Sequence, residues 1–343
     1  MTHLNKHISE ALGLGLFNDY FIELGSFKTG KEIFRLGNPE IVFDLASLTK
    51  ALVTGPLIYG FLKGQKIARS EKVGPFLNML GNSLKRPQLA DITFAELLSH
   101  TSGLPSWRNF WINRLSFDSE QTDLFKTRVS HLVDVIDRSE LTLGKKVDLY
   151  SDVGFIILGF ILEGTYGESL ETIFSNNMNF SGNIGSGKRM RGLTPSVRFS
   201  GTGFCKIRSQ ELFGDVHDEN CASLGGFCGH AGLFSSGKSL VEFLTKDNPL
   251  PFWHEYLLEN YQLTKKHSRS GLLGMRRADD ASSSMFGSGY GIGHLGFTGT
   301  AFWLDMKSSH YAIFLTNRIV SSRTSIAIKD LRRRVFTELS RMI

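Results

Sequence analysis

The sequence predicts an α+β fold, in which an antiparallel sheet comes from the two chain ends and a mainly helical region lies between them. Three observations carry this. A β-hairpin pattern opens the chain, a second hairpin pattern lies near its end, and the stretch between follows helical spacing with helix-capping chemistry.

In chain order, a short helix precedes Tyr20 to Phe27, a Lys28-Thr29-Gly30 turn and Lys31 to Leu36, which together read as a hairpin. Thr93-Phe94-Ala95-Glu96 is a capping box, so a helix starts there. Val153 to Leu162 is an apolar helical run, and Gly167-Glu168-Ser169-Leu170 opens another helix. From Thr172 to Gln210 no acidic residue occurs while Lys188, Arg189, Arg191, Arg198, Lys206 and Arg208 accumulate, which predicts a long basic loop bordering a pocket. Gly299 to Asp305 and His310 to Thr316, rich in aromatic and β-branched residues, form the second hairpin. Thr324 to Ile343 closes the chain as a helix, with Arg332-Arg333-Arg334 expected on its solvated face.

The composition narrows the class. With 343 residues, 41% hydrophobic and 21% charged, the chain has material for a large core. One domain over residues 1–343 is expected, with an α/β region at about 1–75 and 240–343 and a mainly helical region at about 76–239. No run reaches the roughly 18 uninterrupted apolar residues of a membrane span. Met1 to Glu10 is polar where a secretory signal would be apolar, so the expected compartment is the cytoplasm as the chain is written, or the periplasm if the natural N-terminus is longer. A net charge of +6 is too mild for a nucleic-acid partner. Cys205, Cys221 and Cys228 have neither redox-pair nor zinc-ribbon spacing and read as reduced structural thiols. Histidines such as His131 and His254 are scattered, without metal-binding spacing.

The segment most informative about chemistry is Phe43-Asp44-Leu45-Ala46-Ser47-Leu48-Thr49-Lys50, at the head of an apolar helix face. Three residues apart, Ser47 and Lys50 share that face, and a desolvated ammonium would have a lowered pKa suited to taking the serine proton. The helix N-terminus adds amides aimed at a developing oxyanion. Pro56 is expected to bend or tighten this helix. Ser-x-x-Lys alone is weak, and a second copy occurs at Ser235-Ser236-Gly237-Lys238.

Context strengthens the first copy. The stretch around Ser47 resembles the nucleophile motif of the serine β-lactamase and penicillin-binding protein superfamily, in its class C-like esterase and DD-peptidase branch. Leu97 to Pro105, Tyr150-Ser151-Asp152, Val216 to Asn220, Gly229 to Phe234, Gly293 to Thr300 and Leu315 to Arg318 resemble further segments of it, in the same order. The resemblance implies a β-lactamase/DD-peptidase-like fold and a serine hydrolase forming an acyl-enzyme. Tyr150 would join Ser47 and Lys50 in proton transfer, and the amides of Ser47 and Phe297 would form the oxyanion hole. Asp152, His294, Leu295 and Gly296 would bind substrate. His100 would be a packing residue rather than a base. No cofactor and no metal are required, and the expected partner is a small ester, amide or peptidoglycan-like peptide.

Two departures bear on activity. His294-Leu295-Gly296 stands where lactam-hydrolysing relatives have Lys-Thr-Gly, so weak or no β-lactamase activity is expected and an ester or small amide is favoured. Asp152 stands in place of asparagine, and a carboxylate there would raise the pKa of Lys50. Either Tyr150 then transfers the proton, or Asp152 faces elsewhere, or the site is slow. Two other readings stay open: a catalytically impaired binding or scaffolding protein of the same fold, and a nucleotide-binding loop at Gly232 to Ser239, which matches G-x-x-x-x-G-K-[ST].

Overall fold

A computed structural model describes residues 2–78, 87–111, 148–265, 272–278 and 286–343. Residues 112–147 of the expected helical region, His131 among them, lie outside the described residues. Both hairpins form: β1 (Tyr20–Ser26) pairs with β2 (Glu32–Gly37), and β10 (Ala301–Asp305) pairs with β11 (His310–Thr316). They meet because β1 also pairs antiparallel with β11, setting Phe21 opposite Leu315 and Leu24 opposite Ala312. With β8 (Arg276–Arg277) and β9 (Ile292–Leu295) the sheet runs β2-β1-β11-β10-β9-β8.

Strand alternation sends the central strands' side chains into two cores. Phe21, Phe302, Leu304, Ile313 and Leu315 join the larger one, whereas Ile22, Leu24, Trp303 and Phe314 join the other. The second core is closed by the terminal helices Thr2–Gly13 and Ala327–Ser340, through Leu4, Ile8, Val335, Phe336 and Leu339. With both faces covered, these strands are apolar nearly throughout.

The helix Asp152–Tyr166 runs through the larger core, buried from Val153 to Glu163. Ser151 caps it by accepting from the Gly154 amide at 3.1 Å, and Gly167, at φ 69°, ends it in the left-handed conformation. The capping box at Thr93 and Glu96 is complete and starts the helix Phe94–Leu98. No single helix among the described residues is long and apolar enough to cross a membrane.

Three expectations are corrected here. The Thr172 to Gln210 stretch is not one loop: it finishes the helix Leu170–Asn177, then forms β4 (Ile184–Gly185), the helix Gly187–Leu193, β5 (Phe204–Cys205) and the start of β6 (Gln210–Glu211). Serines supply the order that missing carboxylates do not, since Ser169 and Ser186 each cap a helix. Pro56 does not tighten its helix, which is wider rather than narrower just before it. A wide π turn, Lys50–Thr54, precedes the α-helix Gly55–Gly64, and Pro56 lies in the first turn of the latter, where its missing N–H is not needed. Finally, Arg332 is not on the solvated face but only 5% exposed.

Candidate active site

Ser47 lies at the head of this π-to-α segment, directly after β3 (Val42–Asp44). The turn that presents it is tight: Ala46 has φ 47°, a conformation uncommon for a residue with a Cβ. Asp44 holds the turn by accepting from the Ala46 amide at 2.8 Å through Oδ1 and from the His217 amide at 2.7 Å through Oδ2. Burial pushes the Asp44 carboxyl up to about 6, against the pull of these two amides. Sequence reasoning did not single out Asp44. The available signal was its position two residues before Ala46, the spacing at which an aspartate side chain accepts from a turn amide.

Lys50 is fully buried, and its ammonium donates to Ser47 Oγ at 3.0 Å and to the carbonyl of His230 at 3.0 Å while pairing with Asp152 Oδ1 at 2.7 Å. That carbonyl is placed by Gly229, where a Cβ would fall 1.9 Å from the Phe155 carbonyl oxygen, so only glycine lets the segment lie on the Asp152–Tyr166 helix. Burial acts to lower the Lys50 pKa, but Asp152 and Tyr150 act to raise it, and the balance is upward. The expected lowering is therefore corrected. Of the three outcomes open for Asp152, its facing elsewhere is removed, because the carboxylate points at the lysine.

Tyr150 sets its ring 5.0 Å from Lys50 Nζ, and its phenol interacts with both Ser47 and Lys50. Burial raises its pKa despite the neighbouring ammonium, so it stays a neutral phenol. His100 packs on it with ring centroids 4.5 Å apart and accepts the Ser151 amide at Nδ1, 3.0 Å away. Burial lowers His100 to about 3, so it is neutral and positions the Tyr150–Asp152 segment.

His294 closes the far side, 5.9 Å from Tyr150 between ring centroids. Its Nδ1 donates to the Leu295 carbonyl at 2.8 Å, leaving Nε2 buried and without a hydrogen-bond partner among the described residues. Burial and the cations Lys50 and Arg276 hold it well below its ordinary pKa. Gly296 has a structural reason to be glycine: a Cβ there would lie 2.0 Å from Thr300 Oγ1 and 2.8 Å from the Leu45 carbonyl oxygen. This close approach, reinforced by Thr298 donating to the Asp44 carbonyl at 2.7 Å, brings the 296–299 loop onto the serine turn. The amides of Ser47 and Phe297 donate to no group among the described residues.

These groups line one cavity of about 380 Å³ that contains Ser47, Tyr150, Asp152, His294, Leu295, Gly296 and Phe297. Asp218 and His230, paired at 2.9 Å, lie on its wall and were noticed in the sequence only as parts of longer segments.

The second Ser-x-x-Lys copy is elsewhere. Ser235 is buried in β7 (Phe234–Ser236) and Lys238 pairs with Glu40 at the surface. The same strand rules out a phosphate loop, because Phe234 to Ser236 are paired with β3 and β4 and run directly into the helix Gly237–Thr245.

Comparison with known proteins bears on the family and the fold. The family model Beta-lactamase matches residues 27–334. A Salmonella typhi protein provisionally named a D-alanyl-D-alanine carboxypeptidase is 27% identical over 308 residues, covering 81% of this chain and 69% of that protein. Among solved structures, the octameric penicillin-binding protein homologue from Pyrococcus abyssi superposes with a TM-score of 0.67 at 17% identity, over 96% of this chain and 76% of that one. A class C β-lactamase from Rhodobacter sphaeroides gives 0.65 at 12% identity over 99% of both chains. With the family model spanning most of its length and the fold shared with these structures, the chain belongs to the Beta-lactamase family of serine hydrolases.

Proposed function

We propose that the protein hydrolyses an ester or small amide through an acyl-enzyme on Ser47, with D-alanyl-peptide carboxypeptidase or D-aminopeptidase chemistry as the amide form. The observation that carries this is Ser47 Oγ at 3.0 Å from a buried lysine ammonium, on the wall of a cavity that also holds the two undonated amides. As an ammonium, Lys50 donates to Ser47 and cannot take its proton in that state. Tyr150 then serves as the shuttle: as Ser47 Oγ attacks the carbonyl carbon, its proton passes to the phenol oxygen, and the phenol proton passes to the leaving group. Lys50 stabilises the negative charge that develops between them, and the amides of Ser47 and Phe297 receive the oxyanion. Water releases the acyl group by the reverse path. His294 and Leu295 line the strand edge as a neutral acceptor and an apolar contact, which suits an ester or short peptide better than a lactam.

The test is turnover of 4-nitrophenyl acetate and butyrate by the wild type and by Ser47→Ala. A loss of at least a thousandfold is expected, and unchanged turnover would remove Ser47 as nucleophile. One observation favours a second reading. The 2.7 Å pair between Asp152 and Lys50 holds the lysine charged, as a binding protein with an impaired site would tolerate. A fluorophosphonate probe decides between the two, since covalent labelling at Ser47 supports the hydrolase and its absence supports the binding protein.

A further inference from the structure

The segment from Ser186 to Phe213 takes no part in the Ser47 site. Its β5–β6 hairpin turns at residues 206–209, and strand alternation sends Cys205 and Leu212 inward while Phe204 and Phe213 face out, 60% and 55% exposed. Ile207 is exposed on the turn itself, and Leu193, 67% exposed, ends the neighbouring helix Gly187–Leu193. Arg191 of that helix donates to the Phe213 carbonyl at 2.8 Å, so helix and hairpin form one surface. Arg208 braces the hairpin from within by donating to the Val216 and His217 carbonyls at 2.8 and 3.0 Å.

A single exposed leucine or phenylalanine is ordinary on a protein surface, whereas four on one helix end and one hairpin form a patch. The charge around them is one-sided. Residues 186–213 hold Lys188, Arg189, Arg191, Arg198, Lys206 and Arg208 against a single carboxylate, Glu211. Asp215 pairs with Arg191 at 3.0 Å, Asp19 pairs with Arg198 at 2.9 Å, and Glu171 accepts from the Ser186 amide, so carboxylates from outside the segment offset only part of the excess. Lys206 on the turn and Lys188 and Arg189 on the helix are all exposed. A soluble polyanion would need the cations alone, and an apolar protein partner would be opposed by exposed lysines. Cations interleaved with outward phenylalanine, isoleucine and leucine match the interface of an anionic bilayer, where the charges meet lipid phosphates and the apolar side chains enter the acyl boundary.

We propose that the β5–β6 hairpin and the end of the helix Gly187–Leu193 form a peripheral docking surface for an anionic lipid bilayer. The inference is independent of the hydrolase reading, since none of these residues lines the Ser47 cavity. Its test is co-sedimentation of the full chain with vesicles of phosphatidylcholine alone and with vesicles holding about one phosphatidylglycerol to three phosphatidylcholine. At least tenfold stronger partitioning to the mixed vesicles is expected, falling at least tenfold when sodium chloride is raised to about 0.5 M. Phe204→Ser/Ile207→Ser should lose at least tenfold of that partitioning with its far-ultraviolet circular dichroism and Tm unchanged, and Lys188→Glu/Lys206→Glu should lose as much. No partitioning of the wild type, equal partitioning to both vesicles, insensitivity to salt, or partitioning retained in full by either folded double variant overturns the proposal. Binding to heparin without binding to vesicles would make the surface a soluble-polyanion site. A dimer in sedimentation velocity that the serine pair abolishes, without vesicle binding, would make it a contact between copies. Either result also overturns the bilayer.

Discussion

Two acidic residues do opposite work around Ser47. Asp152 keeps Lys50 protonated by direct pairing, so its replacement by asparagine removes the principal group acting to raise the lysine pKa and leaves the burial that lowers it. Because charged Lys50 is the form that supports the Tyr150 shuttle, the falling limb of the pH profile of kcat/KM should therefore move to lower pH in Asp152→Asn, by about one unit or more. Stopped-flow or steady-state rates with 4-nitrophenyl acetate between pH 6 and 10 would check this, and an unmoved limb would mean that Lys50 does not govern the rate. Asp44 acts on shape instead. Its pKa near 6, against 3.8 ordinarily, means the folded protein favours the protonated carboxyl. That contribution to stability is complete below about pH 4 and is lost as pH rises through 6, a change of about 3 kcal/mol. Since asparagine does not titrate, the stability of the wild type relative to Asp44→Asn should fall by about this amount between pH 4 and 7, measured by urea unfolding.

At the scale of elements, the site is a junction of four pieces: the turn after β3, the start of the Asp152–Tyr166 helix, the Gly229–His230 segment and the loop after β9. Two of these junctions depend on close backbone approach at Gly229 and Gly296, and Lys50 ties the first three pieces together. Gly296 is the clearest case, since any Cβ would press on the Leu45 carbonyl two residues before the nucleophile. Gly296→Ala should cost about 1–3 kcal/mol by overpacking and should lower kcat more than KM, because it displaces the serine turn from the Phe297 amide. Chemical denaturation together with steady-state kinetics would check both parts. A retained kcat would mean that the loop yields without moving the turn.

Across the whole molecule, the sheet divides two cores, and only the larger one borders the Ser47 segment. Leu339, fully buried between the terminal helices and the sheet, belongs to the other. Leu339→Ala should cost about 2–5 kcal/mol, seen as a lower Tm, while KM for 4-nitrophenyl butyrate stays the same at temperatures where the protein is folded. A parallel change in KM would show the two cores to be coupled through β9 and β10.

The hairpins, the capping box, the terminal helices and the Ser47–Lys50 spacing were legible in the sequence because each is local: periodicity, turn chemistry and i, i+3 geometry act over a few residues. Tyr150 and the loop at Gly296 were legible only through resemblance to a known superfamily. The tertiary structure alone decided the charge of Lys50, the direction of Asp152, the bracing by Asp44 and the burial of Arg332. Each of these depends on groups from about 100 or more residues away in the chain, as with Lys50, Asp152 and His230, or from packing that removes water. A residue's neighbours in space set its solvation and its counter-charges, and neither quantity is contained in the spacing of letters along a chain.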